Sequence, residues 1–156
     1  MKGNENVINK LNDLLAEELT ATNQYVVHSE MCKNWGFDRL HELVEKRAIV
    51  EMRHAEKLIE RILFLEGTPI VSKLNNIHIG PQVDQQFRND LDAELSAIRM
   101  YNDAVKLAAD SGDNGTREML EKILKDEEEH ADWLEAQREQ ISLIGIQNYL
   151  AAQVRS

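Results

Sequence analysis

The sequence predicts an all-α protein: a bundle of four long helices built from two helical hairpins, with a long crossover between helices two and three and a short fifth helix. Three observations carry this. The 156 residues contain only seven glycines and two prolines, leaving few points where long helices must break. Apolar residues recur at three- and four-residue steps through residues 5–34, 39–66, 83–111 and 116–143. The breaks between them, "NWGFD" at 34–38, "GTPIVSKLNNIHIGPQ" at 67–82 and "DSGDNG" at 110–115, are short, long and short.

Each element follows from that pattern. Short turns join antiparallel neighbours, so helices one and two form one hairpin and helices three and four another. A helix of about 28 residues is about 42 Å long, and sixteen extended residues can span at most about 53–58 Å. Residues 67–82 can therefore run the length of the bundle and leave helices two and three parallel. The fifth segment, "IQNYLAAQV", follows Gly145. A chain of this length is expected to form one domain over residues 1–156, with enough core to need no disulfide.

Composition narrows the function classes. The single cysteine, Cys32, rules out an internal disulfide and a CxxC metal knuckle, and is expected to be a half-buried helix residue. No secretion signal and no run of about 18 apolar residues are expected, so the expectation is a cytoplasmic protein without a membrane partner. A formal net charge of -10 argues against a broad basic patch for nucleic acid and favours cations.

The two halves of the chain are related by a constant offset of 76 residues. "EMRHAEKLIE" from Glu51 matches "EEEHADWLEA" from Glu127, pairing His54 with His130 and Leu58 with Leu134. The same shift pairs Glu18 with Glu94 and Tyr25 with Tyr101 in the first and third helices. A repeated hairpin relates its copies by an approximate two-fold axis, so the repeated residues should meet near it.

Glu51 and His54 share a face with Leu40, Leu58, Ile62 and Leu65, and Glu127 and His130 share one with Leu120, Ile123, Leu134 and Ile141. Glu18 lies on the stripe of Leu11, Leu14 and Tyr25, and Glu94 on that of Phe87, Leu91, Ile98 and Tyr101. Burying four carboxylates together costs several kcal/mol per ion, on the order of the penalty for any buried charge, unless they are neutralised. Two divalent cations would balance them, with two neutral imidazoles as further ligands. Such oxygen and nitrogen donors suit Fe, Mn or Zn. One Glu from each of two helices and a Glu-x-x-His from each of the other two is the known pattern of di-iron carboxylate bundles.

With "MKG", "NQY" at 23–25, "KNWG" at 33–36, "ERILFLEG" at 60–67, "DEEEHADWLE" at 126–135 and "GIQNYLAAQ" at 145–153, the chain resembles the bacterioferritins, the haem-containing branch of the ferritins, over essentially its whole length. The resemblance implies a ferritin-like fold and a ferroxidase that oxidises Fe(II) with oxygen or peroxide and stores ferric mineral. It implies two Fe ions per subunit: Glu18 and His54 on one, Glu94 and His130 on the other, Glu51 and Glu127 bridging. Tyr25 would donate a hydrogen bond or an electron near the site, or simply pack there.

Met52 sits about 100° around the helix from Glu51, on a second apolar stripe with Ala48, Ile49, Ile59 and Leu63, which suggests a partner subunit. By the resemblance, a haem b lies between two subunits, ligated by Met52 from each and lined by Leu19, Asn23 and Ile49. The implied partners are identical subunits in a 24-subunit shell of two-fold dimers, and a ferredoxin as possible electron donor. Asn34, Glu66, Asp132 and Glu139 match a pore between subunits. Lys46 and Val50 stand where some members carry an inner-surface His and Asp, which puts that accessory iron site in doubt here.

Trp35 and Trp133 read as packing or interface residues, and His28, His41 and His78 as ordinary surface or boundary histidines. Two rival classes fit less well. A DNA-protecting miniature ferritin would place ligands between subunits and often carries a basic tail, and a rubrerythrin-type oxidoreductase would add a CxxC iron site.

Overall fold

The computed structural model describes residues 1–155. Its helices are α1 (Glu5–Asn34), α2 (Asp38–Phe64), α3 (Val83–Asp110), α4 (Asn114–Ile144) and the short α5 (Ile146–Ala151), with no strand among the described residues. The helix ends depart from the periodicity by a residue or two, for local reasons. At the start of α4 the Asp113 carboxylate accepts from Thr116 N at 3.0 Å and Arg61 braces it from α2 at 3.0 Å. That cap draws Asn114 and Gly115 into the first turn instead of leaving them in the loop. At the end of α2 the left-handed residue is Glu66, φ 63°, not Gly67. Gly67 is there for closeness: a Cβ on it would stand 2.6 Å from the Ile8 side chain.

The crossover does run the length of the bundle, as a strap laid along α1. Four contacts order it: Ile70 N donates to Asn12 Oδ1 (2.9 Å), Asn75 N to Thr20 Oγ1 (2.8 Å), His78 N to Gln24 Oε1 (3.1 Å) and Gly80 N to His28 Nε2 (3.0 Å). Both sequences of residues increase together, so the strap is parallel to α1, and α3 starts at the end where α2 began. Polar side chains of α1 thereby satisfy backbone donors of a segment that has no helix or sheet of its own.

His28 is thus no surface histidine but fully buried. Its Nε2 accepts from Gly80, which leaves Nδ1 to donate to Asp90 Oδ1 at 2.9 Å, and Gln24 Nε2 donates to the same oxygen at 2.8 Å. No side chain fits at Gly80, where a Cβ would lie 2.5 Å from Gln86 N. His41 is half-buried against Ser29, and His78 is exposed. Cys32 is buried rather than half-buried, and burial pushes its thiol up to about 12.

The apolar interior comes in separate parts. One cluster, including Leu11, Leu15, Leu58, Ile62 and Leu120, fills the end near the start of α1. Another, with Cys32, Leu40, Phe87, Leu134 and Tyr149, fills the other end, where α5 docks by Tyr149 O–H donating to Gln137 Oε1 at 2.6 Å. Along every long helix the repeated acids and imidazoles fall between these two plugs. The duplicated polar residues therefore sit at mid-height, closed off by hydrocarbon above and below.

Candidate metal centre

Glu18, Glu51, Glu94 and Glu127 are each no more than 2% exposed, and His54 and His130 are 2% and 9% exposed. Two ligand-like groups form and share a residue: Glu18, Glu51, His54 and Glu127 in one, Glu51, Glu94 and His130 in the other, with donor atoms of each group within 4.8 Å of one another. His54 Nδ1 lies 3.0 Å from Glu127 Oε1, 3.5 Å from Glu51 Oε2 and 3.6 Å from Glu18 Oε2. His130 Nδ1 lies 2.8 Å from Glu94 Oε1. All six residues singled out by the 76-residue offset thus converge.

Two tyrosines obey the same symmetry, crossing from one hairpin to the other. Tyr25 O–H donates to Glu94 Oε1 at 2.5 Å, and Tyr101 O–H donates to Glu18 Oε1 at 2.6 Å. Tyr25 therefore serves Glu94 on α3 and not Glu18 on its own helix. Burial first, then the Glu94 and Asp90 charges, pushes the Tyr25 phenol well up, and burial with Glu18 does the same to Tyr101, so both remain donors. The role of Tyr101 was readable from the offset that pairs it with Tyr25.

Three further contacts lie outside the repeated set. His54 Nε2 is 2.8 Å from Asp126 Oδ2, which fixes the ring and leaves Nδ1 facing the carboxylates. Arg47 reaches in from α2, one turn before Glu51, and lies 2.7 Å from Glu51 Oε1 and 3.2 Å from Glu127 Oε2. The Trp133 indole stacks on the His130 ring at 5.9 Å and meets Phe87 edge-on. An arginine four residues before a buried glutamate was a visible signal for Arg47. Asp126 lies next to the repeated motif, and only the fold shows that it faces His54.

The electrostatics are those of acids crowded in a dry place. Burial and the neighbouring Glu51 push Glu18 well above the usual carboxylate range, and burial with the surrounding glutamates does so for Glu127. Burial alone would raise Glu51 too, but the adjoining Glu18 and His54 side chains and the Arg47 charge outweigh it and hold it low. For His54, burial favours the neutral ring, yet Glu18 and Glu51 push it up to about 10. Three buried carboxylate oxygens, Glu18 Oε2, Glu51 Oε1 and Glu94 Oε2, lack a hydrogen-bond partner. Arg47 approaches Glu51 Oε1 without hydrogen-bond geometry. Buried acceptors left bare amid excess negative charge are donor atoms suited to cations.

The residues expected to line a haem lie elsewhere, on the outer surface of α1 and α2. Ile49 and Met52 are each 50% exposed, Asn23 is exposed, and Leu19 is half-buried against the core. The contact of Glu18 with His54 and the packing of Tyr25 on Val44 and Ala48 fix the register of the hairpin, which brings Leu19 and Asn23 to the height of Ile49 and Met52. The second apolar stripe of α2 is narrower than expected. Ala48 is buried beside Tyr25 and Ile59 packs into the core, leaving Ile49, Met52 and Leu63 outside. Asn34, Glu66, Asp132 and Glu139 are all exposed, as is Trp35.

The fold and the mid-bundle acids agree with comparison to known proteins. Residues 8–144 match the model of the ferritin-like domain. The chain is 42% identical over 155 residues to the "Bacterial ferritin" of Synechocystis, covering 99% of each chain. It is 40% identical to the "Bacterioferritin" of Mycolicibacterium paratuberculosis and 38% to "Bacterioferritin BfrA" of Mycobacterium tuberculosis, in both cases over 97% of this chain and 95% of the relative. The chain belongs to the bacterioferritin branch of the ferritin family. Within that family, it is an all-helical bundle whose buried carboxylate and imidazole cluster is compatible with a pair of metal ions. No helix among the described residues is long and apolar enough to cross a membrane.

Proposed function

We propose that this chain is the subunit of an iron-storing shell and that its mid-bundle cluster is a ferroxidase centre with Fe(II) as substrate. The observation that carries the reading is the set of four buried carboxylates with three oxygens left without hydrogen-bond partners, between two imidazoles. The donor set fits two ions: Glu18 and His54 hold one, Glu94 and His130 the other, and Glu51 and Glu127 bridge. Two irons so joined supply two electrons to one molecule of oxygen or peroxide, and hard carboxylate donors favour the ferric product.

The side chains of this chain prepare that chemistry. Tyr101 and Tyr25 hold Glu18 and Glu94 in place by their 2.6 and 2.5 Å hydrogen bonds. Asp126 orients His54. The apolar plugs keep bulk water away, which strengthens every charge interaction inside. Metal entry requires His54 to give up its proton from Nδ1, where Glu127 Oε1 at 3.0 Å is the nearest acceptor, while Asp126 at 2.8 Å from Nε2 favours the neutral ring that keeps its proton there.

Ferric product is deposited inside a hollow shell of 24 such subunits, assembled from two-fold dimers in the cytoplasm. The dimer seam is the exposed apolar face of α1 and α2, where Val26, Ile49 and Met52 have no cover within one chain. An uncovered thioether among apolar neighbours suits a haem b shared by two subunits, with Met52 of each as ligand and Leu19, Asn23 and Ile49 lining the pocket. Haem held there would supply an electron path, from a donor such as a ferredoxin, for reductive release of stored iron.

Aerobic addition of Fe(II) to the purified protein, followed by absorbance and gel filtration, tests this. A large assembly with a haem Soret band and rapid ferric formation is the expected result. A small colourless species with background oxidation rates would defeat the reading.

A further inference from the structure

The six proposed donors repeat under the 76-residue shift, but their surroundings do not. Arg47 on α2 has Ile123 as its counterpart on α4, an apolar core residue. Asp126, which meets His54, has Val50 as its counterpart. The imidazole at the His130 end therefore receives no carboxylate from that position and lies instead against Trp133.

Arg47 is also placed unevenly. Its Nη2 lies 2.7 Å from Glu51, 3.2 Å from Glu127 and 3.9 Å from Glu94, whereas no ion pair joins it to Glu18 among the described residues. The guanidinium thus serves the bridging acids and the Glu94 end. Its buried Nε has no hydrogen-bond partner, so no contact at that atom anchors it there. Beside it is a cavity of about 230 Å³ that Arg47 lines together with Leu43, Lys46, Val50, His130 and Trp133.

We propose that Arg47 is a tethered counter-ion for the Glu94 and His130 end of the centre, making its two metal positions unequal. The first divalent cation binds between Glu18 and His54, and the second binds only as Arg47 withdraws into the cavity beside His130. The proposal rests on the metal-centre reading above. A guanidinium cannot shed its proton to make room, so it competes with a second ion for the same carboxylates, and in a poorly hydrated interior that competition is strong. Val50 acts in the same direction, since His130 lacks the carboxylate that orients His54.

Calorimetric titration of the full-length, metal-stripped assembly with Zn(II), which has no redox chemistry, tests it. The wild type is expected to show two steps per subunit, the second weaker by about tenfold or more, the size of a close charge coupling. His54→Ala removes the tight step, and His130→Ala the weak one. Arg47→Met, which keeps the length of the stem, tightens the second step about tenfold and leaves the first within about twofold. If that variant does not fold, Arg47→Lys, a point charge without the planar fork, gives a smaller tightening of the same step. Two zinc steps whose ratio ignores both Arg47 variants would overturn the proposal and leave the metal centre standing. Absence of zinc binding in wild type and variants alike would overturn both.

Discussion

Replacing Tyr101 with phenylalanine removes one oxygen from the buried centre and nothing else. The ring keeps its place in the apolar cluster beside Leu58 and Leu120, and Glu18 Oε1 loses its only donor. Glu18 Oε2 already has none, so the metal-free variant carries a fully buried carboxyl with neither oxygen hydrogen-bonded. An acceptor so stranded costs about 1–3 kcal/mol. At about 2–4 °C per kcal/mol for a chain of this size, the melting temperature should fall by about 2–12 °C. With saturating Zn(II) both Glu18 oxygens can turn to the ion, and the deficit should shrink to less than half. Scanning calorimetry at one subunit concentration and one scan rate, with chelator and with zinc, makes the comparison. Tyr25→Phe provides an internal control: His130 Nδ1 also lies 2.8 Å from Glu94 Oε1, so its loss should be smaller. An unchanged Tyr101→Phe melting point, or the same loss with and without zinc, would refute the reasoning.

The centre should also make metal binding and stability depend on pH. Because the folded state holds the His54 proton up to about 10 against an ordinary histidine near 6.5, this stabilisation is complete below 6.5 and is lost as pH rises through 10. Glu18 and Glu127, also raised, contribute with the same sign. The metal-free protein should therefore melt lower as pH rises from 6.5 to 10, and a flat or rising profile would contradict this. Zinc binding at neutral pH should release about one proton or more per subunit, measured by titration calorimetry in buffers of different ionisation enthalpy; no release would mean that His54 is already neutral. Met52→Leu should abolish the haem Soret band while leaving initial iron oxidation largely intact, and equal loss of both would show that the haem lies elsewhere. His28→Ala removes the acceptor for Gly80 N and a donor to Asp90, so amide exchange along residues 70–80 should accelerate markedly more than in the helices; uniform acceleration would show that the strap is not held there.

The duplication made the centre legible. A fixed shift between the halves singled out six residues on faces that otherwise carry leucine, and they meet at mid-bundle. Crossover length and loop asymmetry likewise carried the topology. Less legible was what holds the crossover down. Asn12, Thr20, Gln24 and His28 recur at steps of eight, four and four along α1, a polar stripe indistinguishable from a solvated face until the strap covers it. His28 was misread for that reason. The periodicity assigns Ala48 and Ile59 to an outer apolar stripe because a helical wheel gives angle but not depth, and tight α1–α2 packing buries more of the arc. Arg47 and Asp126 break the internal symmetry, so a reading built on repetition passes over them. The four-residue step from Arg47 to Glu51 is a signal in the sequence, whereas the approach of Asp126 to His54 becomes visible only when the distances are known.

Crystals soaked in Zn(II) or anaerobic Fe(II), with anomalous difference maps at the metal edge, address the central claim most directly. The account predicts two peaks per subunit, one among Glu18, Glu51, His54 and Glu127, and one among Glu51, Glu94, Glu127 and His130. Peaks confined to the protein surface, or a mid-bundle free of metal at saturating concentration, would contradict it.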